Sequence, residues 1–183
     1  HIPAGSWDAS ATAKKLNHVL AKEYPEAGDI VKTVMNYQVF FNRDVIKSKQ
    51  LDFDNIKQTV INQLKEDTSV LYACDMAKAS TESIPEEVKF RIINGYNRER
   101  SGDVVIVLKP NFYAHGMKGT DHGAWNSYDT HIPLVFMGWG IKHGATTKQT
   151  FMTDIAPTIA AMLHVQAPNG CVGKAIFGNN ICQ

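Results

Sequence analysis

The sequence predicts an α/β fold in which a central sheet is flanked by helices. Two apolar runs, at 104–108 and 132–137, have the length of strands and do not alternate, which is typical of strands buried on both faces. Segments with the apolar spacing of helices lie between the strand-like segments, and this mixture favours the α/β class. The chain has 183 residues and 44% hydrophobic residues, enough for one domain with a buried core.

The first forty residues predict one helix and a pair of strands. Asp8 is a candidate N-cap for a helix that runs to about Tyr24, where a proline and a glycine follow closely. The segments 30–35 and 37–41 are rich in β-branched and aromatic residues, so each is predicted to be a strand.

The middle of the chain predicts two more helices and two more strands. Asp54 is a candidate N-cap for a second helix, and 69–73 is a short candidate strand. The sequence SIPE at 83–86 matches a capping box with proline early in the helix, where its missing N–H costs little. The strand at 104–108 follows that helix.

The last third combines a long loop, a strand and a helix. About twenty residues, 111–130, carry no helical or strand pattern, and loops of that length are often functional. The strand at 132–137 is expected next. Asp154 is then a candidate N-cap, with Pro157 in the first turn of a helix that turns four apolar residues inward: Ile155, Ile159, Met162 and Leu163.

Charge and hydropathy exclude several classes of function. The formal net charge is +1, with 19 basic and 18 acidic residues, so charge gives no reason to expect a nucleic acid polymer or a membrane surface as partner. No apolar run reaches the length of a transmembrane helix, and we therefore expect no membrane span.

The three cysteines form no CxxC pair, so a finger-type zinc site is not expected. Cys171 and Cys182 flank a tail rich in Gly and Asn. They form a disulfide if the protein is exported, or they are two unpaired thiols near a chain end. The sequence leaves both readings open.

A metal-ligand loop is the main chemical signal. Of the seven histidines, His115, His122 and His131 share the long loop and its exit, together with Asp121 and Asp129. Histidine and aspartate are common metal ligands, but this spacing does not match compact zinc patterns such as HExxH. The GxSxG elbow and the P-loop are both absent. The residues alone therefore indicate an α/β fragment with one metal-ligand loop.

Four motifs carry a resemblance to a known family: GTDHG at 119–123, YDTHIP at 128–133, FMGWG at 136–140 and TDIAPTI at 153–159. Together they resemble the C-terminal part of the alkaline phosphatase superfamily, in its type I phosphodiesterase/nucleotide pyrophosphatase branch, which includes the PafA-type alkaline phosphatases. The resemblance implies the C-terminal part of an alkaline-phosphatase-like α/β sandwich.

The resemblance also implies a chemistry. Members of this family hydrolyse phosphate esters with two zinc ions and a phosphoenzyme on Thr or Ser. The histidine of the GTDHG loop is a zinc ligand in the family, and it matches His122. The nucleophile and the other ligands lie upstream in relatives, so no catalytic residue is assigned within this chain. Asp121, Asp129 and His131 are candidates to orient the ligand or to support its loop.

The resemblance sets expectations for organisation and partners. The chain starts with His1 rather than Met and is expected to be a single C-terminal segment of a larger phosphatase domain. In it, about 1–100 form an insert-like α+β part and about 101–183 complete the core sheet and the metal loop. The partners expected are a phosphate ester substrate, the missing N-terminal part and, for the isolated segment, other copies of itself.

Two alternatives stay open. The full-length enzyme is expected to be a periplasmic or secreted phosphomonoesterase, and a phosphodiesterase or nucleotide pyrophosphatase is the alternative within the superfamily. From another class, the chain could be a non-catalytic structural or binding domain, because fold does not decide function. The isolated segment is expected to be inactive, since one protein ligand is too few to hold zinc tightly.

Overall fold

The structure, a computed structural model, describes residues 3–114, 122–138 and 140–177. Its contacts divide the chain into two compact units, His1–Ile132 and Pro133–Gln183. The described strands of the first unit are β1 (Gly5–Ser6), β2 (Val31–Met35), β3 (Gln38–Phe41), β4 (Val70–Asp75), β5 (Val104–Leu108) and β6 (Phe112–Tyr113). Its described helices are α1 (Ala9–Glu23), α2 (Arg43–Ser48), α3 (Phe53–Lys65), α4 (Glu86–Gly95) and the short α5 (Ser127–Thr130), with a 3₁₀ segment at Met76–Thr81.

An antiparallel sheet in the order β2-β3-β5-β4 forms the centre of the first unit. Strand β5 lies inside this sheet, since it pairs with β3 through Val104 and Val105 and with β4 along its whole length. Strands β1 and β6 form a separate parallel pair. The predicted strands at 30–35, 37–41, 69–73 and 104–108 are therefore confirmed, the last with the predicted boundaries and the others with boundaries shifted by one or two residues.

Two apolar clusters cover the two faces of β5. The larger cluster contains Val104, Ile106 and Leu108 together with buried residues of α1 and α3, among them Leu16, Leu20, Ile56, Val60 and Leu64. The smaller cluster contains Val107 with Cys74, Met76, Val88 and Ile92. Because successive side chains of a strand point to opposite faces, these two clusters explain why the apolar run does not alternate.

Two predicted helix caps are wrong, although the helices exist. Asp52, not Asp54, caps α3, since its carboxylate accepts a hydrogen bond from the Asn55 amide at 3.1 Å. Phe53 packs against Phe41 with ring centroids 5.3 Å apart, and this contact brings the helix start forward. Helix α4 follows Pro85 with no side-chain cap, because the Glu86 carboxylate pairs with Lys89 at 2.8 Å instead of reaching back.

The predicted cap of α1 is confirmed. Asp8 has extended backbone angles, and its carboxylate accepts a hydrogen bond from the Ala11 amide at 2.9 Å. This bond satisfies one of the amides that a helix start leaves without an intrahelical partner.

The predicted strand at 132–137 is wrong. The structure assigns no strand to this segment, and none of the described strands pairs with it. An apolar run becomes a strand only when a neighbouring strand takes its backbone hydrogen bonds. Val135 and Met137 are 80% and 95% exposed, so this run is not part of a core within the described residues.

The second unit contains helix α6 (Ile155–Met162), preceded by a 3₁₀ turn at Met152–Asp154. The Asp154 carboxylate accepts hydrogen bonds from the amides of Phe151 and Lys174, and these bonds hold its pKa below the ordinary value. The helix is as predicted, but its inward face is not. Its buried residues are Pro157, Thr158 and Ala160, whereas Ile159 and Leu163 are exposed.

Other expectations concern membranes and cysteines. None of the described helices is long and apolar enough to cross a membrane.

A second expectation concerns the cysteines. Cys74 is buried, and burial, reinforced by Glu82 and Asp75, raises the pKa of its thiol to about 11. Cys182 lies outside the described residues, so both readings of Cys171 and Cys182, a disulfide or two unpaired thiols, stay open.

A buried ion pair links α3 to the end of β4. Lys57 and Asp75 are 9% and 5% exposed, and Lys57 Nζ lies 2.5 Å from Asp75 Oδ2 and 2.9 Å from Asp54 Oδ1. Burial lowers the pKa of Lys57, but its bonds to Asp75 and Asp54 outweigh that effect and leave the pKa above its ordinary value. The other Asp75 oxygen accepts the Ala77 amide, so this carboxylate also starts the 3₁₀ segment.

We predict that Lys57→Met destabilises the fold by about 3 kcal/mol, because it leaves the Asp75 carboxylate buried without its cation. The measurement is urea unfolding followed by circular dichroism at pH 7. Lys78→Met is the matched control, since Lys78 is exposed and lies 3.4 Å from the same Asp54. Its unfolding curve should match that of the wild type.

The sign of the pH dependence follows from the raised pKa of Lys57. A cation with a raised folded-state pKa stabilises fully below its unfolded pKa, about 10.4 for lysine, and the effect fades as pH rises through the folded value. The gap between wild type and Lys57→Met should therefore be constant from pH 7 to 9. Equal unfolding free energies for the two proteins in that range would refute a stabilising role of the pair.

Candidate functional site

His122 begins the described part of the predicted metal loop. Its side chain is exposed, and within the described ranges its imidazole has no hydrogen bond and no ion pair. No hydrogen bond therefore blocks a ring nitrogen, and one open ring nitrogen is what a metal ligand requires. His115 and Asp121 lie outside the described residues, so their predicted roles stay predictions. We refer to residues 122–126 as the His122 loop.

Asp129 fastens the two residues that follow His122. Its Oδ2 atom accepts hydrogen bonds from the amides of Gly123, at 2.8 Å, and Ala124, at 2.6 Å. Gly123 has a φ of +115°, in the region that favours glycine, so the sequence HG is what allows the backbone to turn toward this carboxylate. The predicted support of the loop by Asp129 thus has a direct geometric basis.

Trp125 connects the His122 loop to the sheet and to α4. Its indole Nε1 donates to the carbonyl oxygen of Leu108, at the end of β5, over 3.2 Å. Its own carbonyl oxygen accepts a hydrogen bond from Arg91 Nη1 on α4 at 3.0 Å. These two bonds use opposite ends of one residue, and they join the loop to two elements that are far from it in sequence.

Two neighbouring side chains complete the surroundings of the loop. Tyr128 is exposed, but its hydroxyl accepts hydrogen bonds from the Asn111 amide at 3.0 Å and from Asn126 Nδ2 at 3.2 Å. His131 is exposed, and its amide donates to the carbonyl of Ser127, the first residue of α5. Its imidazole makes no hydrogen bond in the part of the chain that the structure describes, so its predicted role is not tested.

A cavity of about 210 Å³ lies between α4, β5 and the His122 loop. Val88 and Ile92 of α4 and Val105 and Val107 of β5 form much of its lining, and 123–125 form another part. The loop backbone is therefore not packed closely on the sheet here. Its position depends on the hydrogen bonds of Asp129, Trp125 and Arg91 as well as on the packing of Trp125 against the smaller apolar cluster.

The sequence did not reveal the role of Arg91. Arg91 lies on a helix that shows an ordinary amphipathic pattern, 34 residues before Trp125. No local motif marks an arginine that will donate to a distant backbone carbonyl, so only the tertiary structure brings it to the site.

The described residues do not by themselves form a zinc site. Within those ranges, no group of three or more His, Cys, Asp or Glu side chains could hold a metal ion. Structural and catalytic zinc sites use at least three protein donors. His122 fits the role of one exposed donor, and a complete site would need further donors from outside the described residues.

Comparison with known proteins identifies the family. No protein-family model matches the chain. Alkaline phosphatase PafA of Elizabethkingia meningoseptica is 46% identical over 164 residues, and alkaline phosphatase PhoV of Synechococcus elongatus is 49% identical over 144 residues. The crystal structure of wild-type PafA matches 95% of this chain with a TM-score of 0.89 and 44% sequence identity. The chain belongs to the alkaline phosphatase superfamily.

The superfamily membership and the α/β fold class predicted from the sequence are thus confirmed. The matched regions cover 89% of this chain and 30% of PafA, and 79% of this chain and 26% of PhoV. A protein of Myroides odoratus named calcium-transporting ATPase is also 46% identical, over 94% of this chain and 32% of its own length. The chain spans about a third of the length of the curated relatives that it matches.

We predict that Asp129→Ala loosens the His122 loop while Asp129→Asn loosens it less. Alanine removes the acceptor of both amides, whereas asparagine keeps one carbonyl oxygen in place of Oδ2. Amide hydrogen exchange at Gly123 and Ala124 should quicken by at least about tenfold in Asp129→Ala, because hydrogen bonds to a charged acceptor stabilise by roughly 1.5–3 kcal/mol.

Asp154→Ala is the matched control for this experiment. Asp154 also accepts two backbone amides, from Phe151 and Lys174, and none of its hydrogen bonds involves the His122 loop. Its replacement should leave exchange at Gly123 and Ala124 unchanged. If both alanine variants changed the exchange of these two amides equally, Asp129 would have no special role in the loop.

Proposed function

We propose that this chain is the C-terminal part of a zinc-dependent phosphate ester hydrolase that acts on monoesters. The observation that carries the proposal is the exposed, open imidazole of His122, held on a loop fastened by Asp129. The similarity to PafA over 95% of the chain supports the same assignment. In this proposal His122 is one zinc ligand, and Asp129 keeps the backbone beside it in place.

The proposal includes a site divided along a longer polypeptide. The remaining zinc ligands, for two zinc ions as the family resemblance implies, and the Thr or Ser that forms a phosphoenzyme are placed outside this chain. When bound, zinc supplies Lewis-acid stabilisation of charge on the phosphoryl oxygens. In this proposal the role of this chain is to hold the His122 imidazole on a backbone of fixed position. Asp121 and His131 remain candidates to orient it.

Monoesters are preferred in this proposal over diesters because two relatives, PafA and PhoV, are named alkaline phosphatases. A phosphodiesterase or nucleotide pyrophosphatase of the same superfamily is the alternative. Steady-state kinetics of the full-length protein on p-nitrophenyl phosphate and on bis-p-nitrophenyl phosphate would decide between them. We also infer export to the periplasm or the medium from the family resemblance.

We predict that His122→Ala in the full-length polypeptide lowers zinc content and decreases kcat/KM for p-nitrophenyl phosphate by at least about 100-fold, because a direct donor is lost. Zinc content is measured by atomic absorption after gel filtration. His18→Ala, an exposed histidine on α1, is the matched control and should change neither quantity.

The isolated 183-residue chain provides a second arm of this test. It should neither retain zinc through gel filtration nor hydrolyse p-nitrophenyl phosphate, because one imidazole is too few donors. Turnover by the isolated chain would refute the divided site. A full-length His122→Ala protein with normal zinc content and turnover would refute the role of His122.

The second unit has apolar side chains that a single copy of the chain leaves exposed. Val135, Met137, Leu163 and Val172 are 80%, 95%, 66% and 69% exposed. Exposed apolar patches of this kind are typical of interfaces. We propose that the rest of the longer polypeptide covers them, which agrees with the one-third share of the relatives that this chain spans.

We predict that the isolated chain self-associates through this surface, whereas the full-length protein does not. Sedimentation velocity at increasing concentration should show oligomers for the isolated chain. The double substitution Val135→Lys, Met137→Lys should shift it toward monomer, because two charges would have to be buried in the contact. Met35→Lys, at a 53% exposed residue of the first unit, is the control and should not. A monomeric isolated chain at all concentrations would contradict this prediction.

A further inference from the structure

We propose that Arg91 is a positioning residue that sets the placement of the His122 loop relative to helix α4. Within the described ranges Arg91 has no hydrogen bond to His122, and it acts through the carbonyl of Trp125. The inference rests on the proposed function in one respect, namely that His122 is a zinc ligand. The tie between Arg91 and the loop can be tested without zinc.

The guanidinium of Arg91 bridges two partners with different nitrogens. Nη1 donates to the Trp125 carbonyl oxygen at 3.0 Å, and Nη2 pairs with Glu87 Oε1 at 2.8 Å. Glu87 lies one turn earlier on α4, so it fixes the orientation of the guanidinium plane. A planar guanidinium can serve both partners at once, whereas the single ammonium of lysine serves them less well.

The hydrogen bonds that hold the His122 loop differ in the sequence distance that they span. Asp129 lies five and six residues from the amides that it accepts, so this tie sets only the local shape of the turn. The bond from Arg91 spans 34 residues and the bond from the Trp125 indole to Leu108 spans 17. Placement of the turn on the body of the first unit therefore depends on these two long-range bonds, together with the Tyr128 hydroxyl that joins Asn126 to Asn111 and the packing of Trp125.

The cavity increases the importance of these bonds. Trp125 packs against the smaller apolar cluster, but about 210 Å³ between α4, β5 and the loop is not filled by side chains, so packing under 123–125 is incomplete. Where packing is incomplete, loss of a directional bond allows the backbone to shift. A shift of the backbone at Trp125 displaces His122, which lies three residues earlier.

A merely structural role for Arg91 predicts a different result. The Arg91 side chain is 36% exposed, and partly exposed ion pairs on helices stabilise little, so a general loss of stability should be small. A positioning role predicts an effect on the metal site that is larger than the effect on thermal stability. The two readouts therefore separate the explanations.

The experiment compares Arg91→Met, Arg91→Lys and Lys89→Met in the full-length polypeptide. Lys89 is the matched control, since it lies on the same helix and pairs with Glu86 at 2.8 Å but has no bond to the His122 loop. Zinc affinity, measured by competition with a chelator, and kcat/KM should both fall about tenfold in Arg91→Met. Tm should equal that of Lys89→Met, and Arg91→Lys should recover part of both losses.

A second measurement uses the isolated 183-residue chain and needs no zinc. Exchange of the Trp125 indole N–H, observed by NMR, should be several-fold faster in Arg91→Met than in Lys89→Met. The reason is that Arg91→Met removes the hydrogen bond to the backbone carbonyl of Trp125 and lets the residue move. Equal exchange in the two variants would overturn the proposal. Zinc affinity that falls no further in Arg91→Met than in Lys89→Met would also overturn it.

The two proposals fail in different ways. If His122→Ala leaves zinc content unchanged, the proposed function fails, and the indole exchange still decides whether Arg91 holds the loop. If His122→Ala removes zinc while Arg91→Met changes neither zinc affinity nor indole exchange, only the role of Arg91 fails.

Discussion

The double burial of strand β5 is the constraint on which the first unit depends. Its alternate side chains enter two separate apolar clusters, so helices α1 and α3 must cover one face while α4 and the 3₁₀ segment cover the other. The position of α4 in turn decides where Arg91 stands, and the end of β5 presents the Leu108 carbonyl to Trp125. One strand thus fixes two long-range partners of the His122 loop.

In two places an aspartate carboxylate holds irregular backbone by accepting hydrogen bonds from two amides. Asp129 accepts the amides of Gly123 and Ala124, and Asp154 accepts the amides of Phe151 and Lys174. A carboxylate that accepts two backbone donors replaces the partners that a helix or a sheet would have supplied. Such a tie fixes the local turn and leaves its larger placement to other contacts. This division explains why a loop beside a cavity also needs Arg91 and the Trp125 indole.

Short sequence patterns predicted most helices and strands. Contacts between residues that are far apart in the chain could not be predicted from such patterns. The Asp8 cap and the strand at 104–108 depend on short patterns, whereas the six-residue helix α2 is too short to show helical periodicity. The run at 132–137 has strand composition, but a strand also needs a partner that composition cannot reveal. At the site, a five-residue motif is enough to predict His122 as a metal ligand, and this stays a prediction. Arg91 carries no such mark, since its partner lies 34 residues away.

If His122 is one donor of a zinc site, as we propose, zinc binding depends on the placement of distant segments. If the other donors belong to a longer polypeptide, as we propose, then each of them is held by a different part of the fold, and zinc affinity requires that all meet within a few tenths of an ångström. Flexibility in one donor loop lowers the affinity of the whole set. Hydrogen bonds that would contribute little to global stability therefore matter greatly for function, because they limit the positions that His122 can take.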